Sequence, residues 1–181
     1  RKGSRLAVEA LAGSGKSTSL KFMALDRPNA SMLYLAFNKA LANEAVEFMP
    51  GNVVSKTTHS IAFGAIGKNY AHRLRGPRVR NQDIARILDL GPIKVGERRL
   101  SPGFLAGQVM AGLRNFCNSA DAAIGSKHLP RIEVSTDEAE NALVKETLRS
   151  ALVPALRAAW ADMENRDGRL PYSHDTYLKS F

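Results

Sequence analysis

Apolar and polar positions change rhythm partway along the 181-residue chain. The first seventy residues alternate between two periods. Leu6 to Glu9 reads as a short buried strand, and Ser17 to Leu25 takes helical spacing after it. Arg27-Pro28-Asn29 marks a turn. The unbroken apolar run from Met32 to Phe37 predicts a parallel strand covered on both faces. Leu41, Ala45 and Phe48 recur at helical intervals after Asn38, a possible cap, and Pro50-Gly51 ends that helix. Asn52 to Ser55 predicts a third strand and Thr58 to Tyr70 a third helix. Strand and helix alternating in this way mean a parallel α/β sheet joined by right-handed crossovers.

After Ala71 the alternation stops. Residues 72–168 read as an all-helical unit inserted after the third α/β repeat. Asn81 is placed to cap a short helix, and Ser101-Pro102 has the order of a helix start. Leu105, Val109, Leu113, Phe116, Cys117 and Ala120 trace one apolar stripe. Ser135 with Glu138 forms a capping box before a long helix carrying Leu143, Leu148, Leu152, Leu156 and Trp160. Pro154 inside that pattern predicts a kink or a split.

The strand-to-helix junction at Ala10–Thr18 carries the sharpest chemistry. Its G-S-G-K-S-T core has the composition of a phosphate-binding loop, with Ala10 where the usual pattern has its first glycine. Gly13 and Gly15 can adopt backbone angles closed to other residues, turning successive N–H groups of Ala12 to Thr18 toward phosphate oxygens. Lys16 supplies a charge for the β- and γ-phosphates. The Ser17 hydroxyl is placed to ligate Mg²⁺, and the helix start favours an anion. The residues therefore predict a nucleoside triphosphate site.

Composition narrows the partners. Formal charge is +9, spread over both parts of the chain, and Arg73, Arg75, Arg78 and Arg80 fall within eight residues that hold no acid. That balance suits nucleic acid or a solvated basic face. One cysteine, Cys117, excludes an internal disulfide and fits a reducing compartment. No apolar run is long enough to cross a bilayer, so no membrane partner is expected.

Two weaker signals stand at the ends of the second and third predicted strands. Phe37-Asn38-Lys39 offers a ring for stacking and polar groups for phosphates, or else a core phenylalanine and a cap. Thr57-Thr58-His59-Ser60 offers hydroxyls and an imidazole at a helix start, or else an ordinary cap.

In order, A-G-S-G-K-S-T, L-Y-L-A-F-N-K-A-L-A-N-E-A and T-T-H-S-I-A-F resemble the opening motifs of UvrD-like superfamily 1 DNA helicases. The tail L-P-Y-S-H-D-T-Y-L-K-S-F is similar to a segment of their F-box DNA helicase branch. The resemblance implies a P-loop NTPase of RecA-like fold: an ATP-binding subdomain at 1–71, a helical insertion at 72–168, and a segment at 169–181 returning to the ATPase domain. It implies that ATP and Mg²⁺ sit on Ala12, Gly13, Ser14, Gly15, Lys16, Ser17 and Thr18, with Lys16 and Ser17 catalytic. Single-stranded DNA and single/double-strand junctions would meet Phe37, Asn38, Lys39, Thr58 and His59, with Arg73 and Arg75 further contacts. His174, Asp175 and Tyr177 would hold a structural role.

The acidic pair that such motors use for hydrolysis is not found, because Asp137-Glu138 follows no buried strand. The expectation is an N-terminal piece of a 3′ to 5′ helicase, cytoplasmic and nucleoid-associated or nuclear. It would bind nucleotide without turning it over, with the remainder of the helicase chain as its partner. A non-catalytic ATP- and DNA-binding regulator is the alternative.

Overall fold

A computed structural model of the protein describes residues 5–96, 98–132 and 138–181, with only the backbone of 138–140 and 143. Two compact units divide the chain, Arg1–Ile61 and Ala62–Phe181. The division falls earlier than Ala71, inside the third helix.

In the first unit, helix α1 spans Lys16–Leu25, strand β1 Met32–Ala36, helix α2 Lys39–Phe48 and strand β2 Val53–Thr57. The strands pair in parallel with Met32 opposite Val53 and Ala36 opposite Thr57. Helix α2 begins where the Asn38 side chain accepts the Leu41 N–H at 2.9 Å, a strong cap for an orphan donor. Its buried residues are Ala42 and Ala45, while Leu41 is exposed. The Ser55 hydroxyl donates to the Ala42 carbonyl at 2.9 Å, pinning α2 to one face of the sheet. On the opposite face Leu33, Leu35 and Val54 remain about half exposed. The two-sided cover expected for β1 is thus one-sided among the described residues.

The strand expected at Leu6–Glu9 is absent. Residues 5–11 form no strand, and Leu6, Val8 and Leu11 are exposed. A strand is held by a ladder partner and a packed face. Among the described residues the two strands of this unit pair only with each other.

The second unit begins with the end of α3, Thr58–Ala65, which stops short of the expected Tyr70. A 3₁₀ turn at Gly67–Tyr70 and the short helix α4, Ala71–Leu74, replace its last turns. Gly67 has no room for a side chain, since a Cβ would fall 2.7 Å from the Phe63 ring and 2.9 Å from that of Tyr177. Helix α5 follows at Asn81–Ile87, where Arg80 and not Asn81 holds the cap position. The region is not all-helical. Strands β3, Ile93–Val95, and β4, Arg98–Leu100, form an antiparallel ribbon after a turn with Gly96 at φ 58°.

Helix α6, Pro102–Cys117, starts on Ser101, whose hydroxyl accepts the Phe104 N–H at 3.3 Å. Leu105, Val109, Leu113 and Phe116 are buried as the stripe predicts, whereas Ala120 lies past the helix end and is exposed. Helix α7 runs Glu138–Glu164 without splitting at Pro154. Proline removes the donor to the Ser150 carbonyl, and Ser150 sits on the exposed side, where water can replace it. Leu148, Leu152 and Leu156 are buried in the core. A Cβ on Gly112 would come within 3.0 Å of Leu156, so the glycine permits close approach of α6 and α7. The Ser135 capping box and the Leu143 side chain lie outside the described residues. Helix α8, His174–Ser180, closes the unit. Leu170, Tyr172 and Tyr177 belong to its core, so residues 169–181 pack with the helices. No helix among the described residues is long and apolar enough to cross a membrane.

Candidate nucleotide and nucleic-acid site

The loop before α1 takes the conformation its glycines allow. Gly13 and Gly15 have φ of 75° and 81°, in the left-handed region. Gly15 stands at the helix cap position with no side chain closing it. The Lys16 ammonium folds back onto the loop, donating to the Ala10 carbonyl at 3.0 Å and the Leu11 carbonyl at 2.7 Å. A Cβ placed on Gly13 or Gly15 would meet nothing within 4 Å, so it is the left-handed φ and not crowding that calls for glycine at both positions. The Ser14 N–H donates to the Leu11 carbonyl at 3.3 Å, closing the turn; a glycine turn at a helix start with an ammonium anchored on its carbonyls fits a phosphate chain. Ser14, Ser17 and Thr18 are exposed, with Ser17 in the first turn of α1. No cluster of His, Cys, Asp or Glu able to hold a metal occurs among the described residues. A cation here would depend on the Ser17 hydroxyl and the phosphates themselves.

Helix α1 is tied down at its far end. The Asn52 amide donates to the carbonyls of Ala24, Arg27 and Ala30 at 3.0–3.2 Å, fixing the end of α1 and its turn beside the start of β2.

The carboxyl edge of the sheet gathers the other predicted residues of the first unit. Ala36 and Thr57 are register partners, so Phe37-Asn38-Lys39 and Thr58-His59 leave neighbouring strands side by side. Phe37 is 93% exposed, which removes the core alternative. Lys39, Thr58 and His59 are exposed as well. Asn38 does cap α2, and the residue is exposed. The cap of α3 is Thr57, whose hydroxyl accepts the Ser60 N–H at 3.1 Å. Thr58 and His59 therefore occupy the first turn and are not needed as caps.

Arg73 corrects its sequence reading. Its side chain is 5% exposed and pairs with Asp162 at 3.2 Å. Its guanidinium also donates to the carbonyls of Asp162, Met163, Asn165 and Leu170, and lies 4.8 Å from the centre of the Tyr172 ring. The five acceptors take its two terminal nitrogens, and its Nε is buried without a partner, so burial keeps this guanidinium from a nucleic-acid phosphate. The Tyr70 hydroxyl donates to Glu164 at 2.7 Å, and His72 Nε2 meets the Arg166 carbonyl at 3.0 Å. Sequence reading missed this clasp on the end of α7, because its acceptors are backbone carbonyls. In the rest of the arginine run, Arg80 pairs with Asp83 at 2.9 Å, while Arg75 and Arg78 are exposed. The hydrogen bond from Arg80 holds the Asp83 carboxyl below its ordinary range.

The tail motif is structural in this unit. His174 Nδ1 and the Tyr177 hydroxyl are hydrogen-bonded at 2.9 Å. Lys179 donates to the carbonyls of Ser119 and Asp121 and lies 4.2 Å from the Phe116 ring centre. Beside it His128 is buried, accepting the Gly125 N–H on Nδ1 at 3.0 Å and lying 2.9 Å from Asp121 through Nε2. Hydrogen bonds from Lys127 and then His128 lower the Asp121 carboxyl below its ordinary value.

Over 98% of its length the chain is 29% identical to F-box DNA helicase 1 of Gallus gallus. Over the same share it is 32% identical to F-box DNA helicase protein 1 of Schizosaccharomyces pombe. It covers 18% and 20% of those proteins, so it spans about a fifth of the length of the curated relatives it matches. No family model matches the chain, and no solved structure matches it. The similarity relates the chain to one segment of proteins named as DNA helicases.

Proposed function

We propose that the chain is the nucleotide-binding and strand-contacting part of an ATP-dependent DNA helicase of the UvrD-like superfamily 1, moving 3′ to 5′. The register of β1 and β2 carries this reading. It sets an exposed ring, an amide, an ammonium and an imidazole side by side at the carboxyl edge, where ligands bind in open α/β sheets. Phe37 would stack on a base, with Asn38, Lys39, Thr58 and His59 at phosphates.

The phosphate loop supplies the second half. Backbone N–H groups of Ala12 to Thr18 would hold the phosphate chain, Lys16 would face its terminal oxygens, and Ser17 would ligate Mg²⁺. Bound ATP–Mg²⁺ supplies the phosphoanhydride whose hydrolysis powers such motors. Helix α1, anchored by its C-terminal end near the start of β2, would then direct its N-terminus and the loop toward the strand-binding edge.

Nucleotide and oligothymidine titrations test the two halves separately. Lys16→Ala should abolish nucleotide binding and leave DNA affinity nearly intact. Lys39→Ala and His59→Ala should do the reverse, with the salt slope on single strands falling by about 0.7 for Lys39→Ala. Wild-type DNA affinity in both of those variants would retire the strand assignment.

A further inference from the structure

The ribbon of β3 and β4 carries charges that its folding does not call for. Val95 is 4% exposed, and Ile93 and Leu100 are partly buried against the same core. Register puts Lys94 directly opposite Arg99, and Val95 opposite Arg98. Directly opposed residues project from one face, so Lys94 and Arg99 share the side turned away from the core. Both are exposed, as is Arg98. No carboxylate among the described residues forms an ion pair with any of the three. Like charges directly opposite weaken a ladder, and strands of three residues have little stability to lose. A polyanion laid on this face would convert the repulsion into attraction.

The kind of polyanion follows from what the ribbon lacks. None of its six strand residues is aromatic. Single strands are gripped largely by rings stacked on unpaired bases. A duplex turns its phosphates outward, where cations alone can hold them. We infer that the β3–β4 ribbon contacts the phosphate backbone of double-stranded DNA through Lys94 and Arg99, the pair on the face turned away from the core. This rests on the reading of the chain as DNA-acting, and adds a surface in the unit that holds neither Lys16 nor Lys39.

Fluorescence anisotropy on the 181-residue chain, with a short blunt duplex and with oligothymidine, tests it. The double variant Lys94→Gln with Arg99→Gln should weaken duplex binding at least tenfold at about 0.1 M salt, and lower the salt slope by about 2. Oligothymidine binding should stay at the wild-type level, and the melting temperature should hold or rise as the repulsion disappears. Lys94→Arg, which keeps the charge, should bind duplex like wild type. Unchanged duplex binding in the double variant, equal losses on both ligands, or lost binding in Lys94→Arg would each overturn the proposal. Unchanged duplex binding there, beside impaired oligothymidine binding in Lys39→Ala, ends the ribbon proposal and spares the helicase reading. The converse pattern keeps the ribbon and ends the assignment of Lys39.

Discussion

Leu33 and Leu35 in the first unit and Leu105 and Leu152 in the second are the same residue type in regular structure. The first pair is 53% exposed, and the second pair is at 0%. Helices α6 and α7 each have an apolar stripe, and each covers the other. The β1–β2 pair has two faces and, among the described residues, α2 packs on one of them. Parallel strands are built for cover on both sides, so the first unit keeps an apolar face that its own described residues do not fill. The lesson is that the part carrying the glycine turn of Gly13 and Gly15 has the weaker core. The part holding α6 and α7 has most of the packing.

Changes to one unit should therefore cost far more than similar changes to the other. The largest effect is expected from Arg73→Ala. It strips the Asp162 carboxylate and several backbone carbonyls of a buried cation, a loss of about 3–5 kcal/mol. Urea unfolding followed by circular dichroism checks this, and a loss within about 0.5 kcal/mol would show the clasp to be dispensable. Next comes a matched pair of truncations. Leu152→Ala should cost about 2–5 kcal/mol by leaving a cavity, whereas Leu33→Ala should stay within about 0.5 kcal/mol. Equal costs would mean that the exposed face of β1 is covered in solution.

The smallest effect is a pH dependence. Burial, and after it the neighbouring Tyr70, push the Tyr172 hydroxyl up to about 12 from an ordinary value of 10.0. The folded form then holds this proton more tightly than the unfolded form. Stability is complete below pH 10 and declines as pH rises toward 12. Tyr172→Phe, which keeps the ring beside Arg73, should flatten that alkaline decline in thermal melts, while an unaltered profile would assign it to other groups.

How much the sequence disclosed depended on how local each cause was. The left-handed Gly13 and Gly15 were readable because glycine alone tolerates those angles cheaply. The Ser101-Pro102 start and the α6 stripe were readable for the same reason: cap and periodicity lie within one turn. Arg73 was misread as a surface contact because its acceptors lie 89 to 97 residues away. No local pattern distinguishes a buried guanidinium from a solvated one. The β3–β4 ribbon escaped notice because three-residue strands crowded with Lys and Arg carry too little alternation. The strand at Leu6–Glu9 failed in the other direction, since an apolar run becomes a strand only when a neighbour pairs with it.

Tyr70, His72 and Arg73 hold residues 162–170, and Tyr70 stacks on Tyr172 with ring centres 4.8 Å apart. The segment that opens the helical bundle is thus clasped to the end of its longest described helix and the turn after it. A bundle fastened in this way can grow or shrink at the loops far from the clasp without disturbing the clasp itself. Lengthening of the connections between α5 and α6, or between α6 and α7, should be tolerated more readily than any alteration at Tyr70, His72 or Arg73.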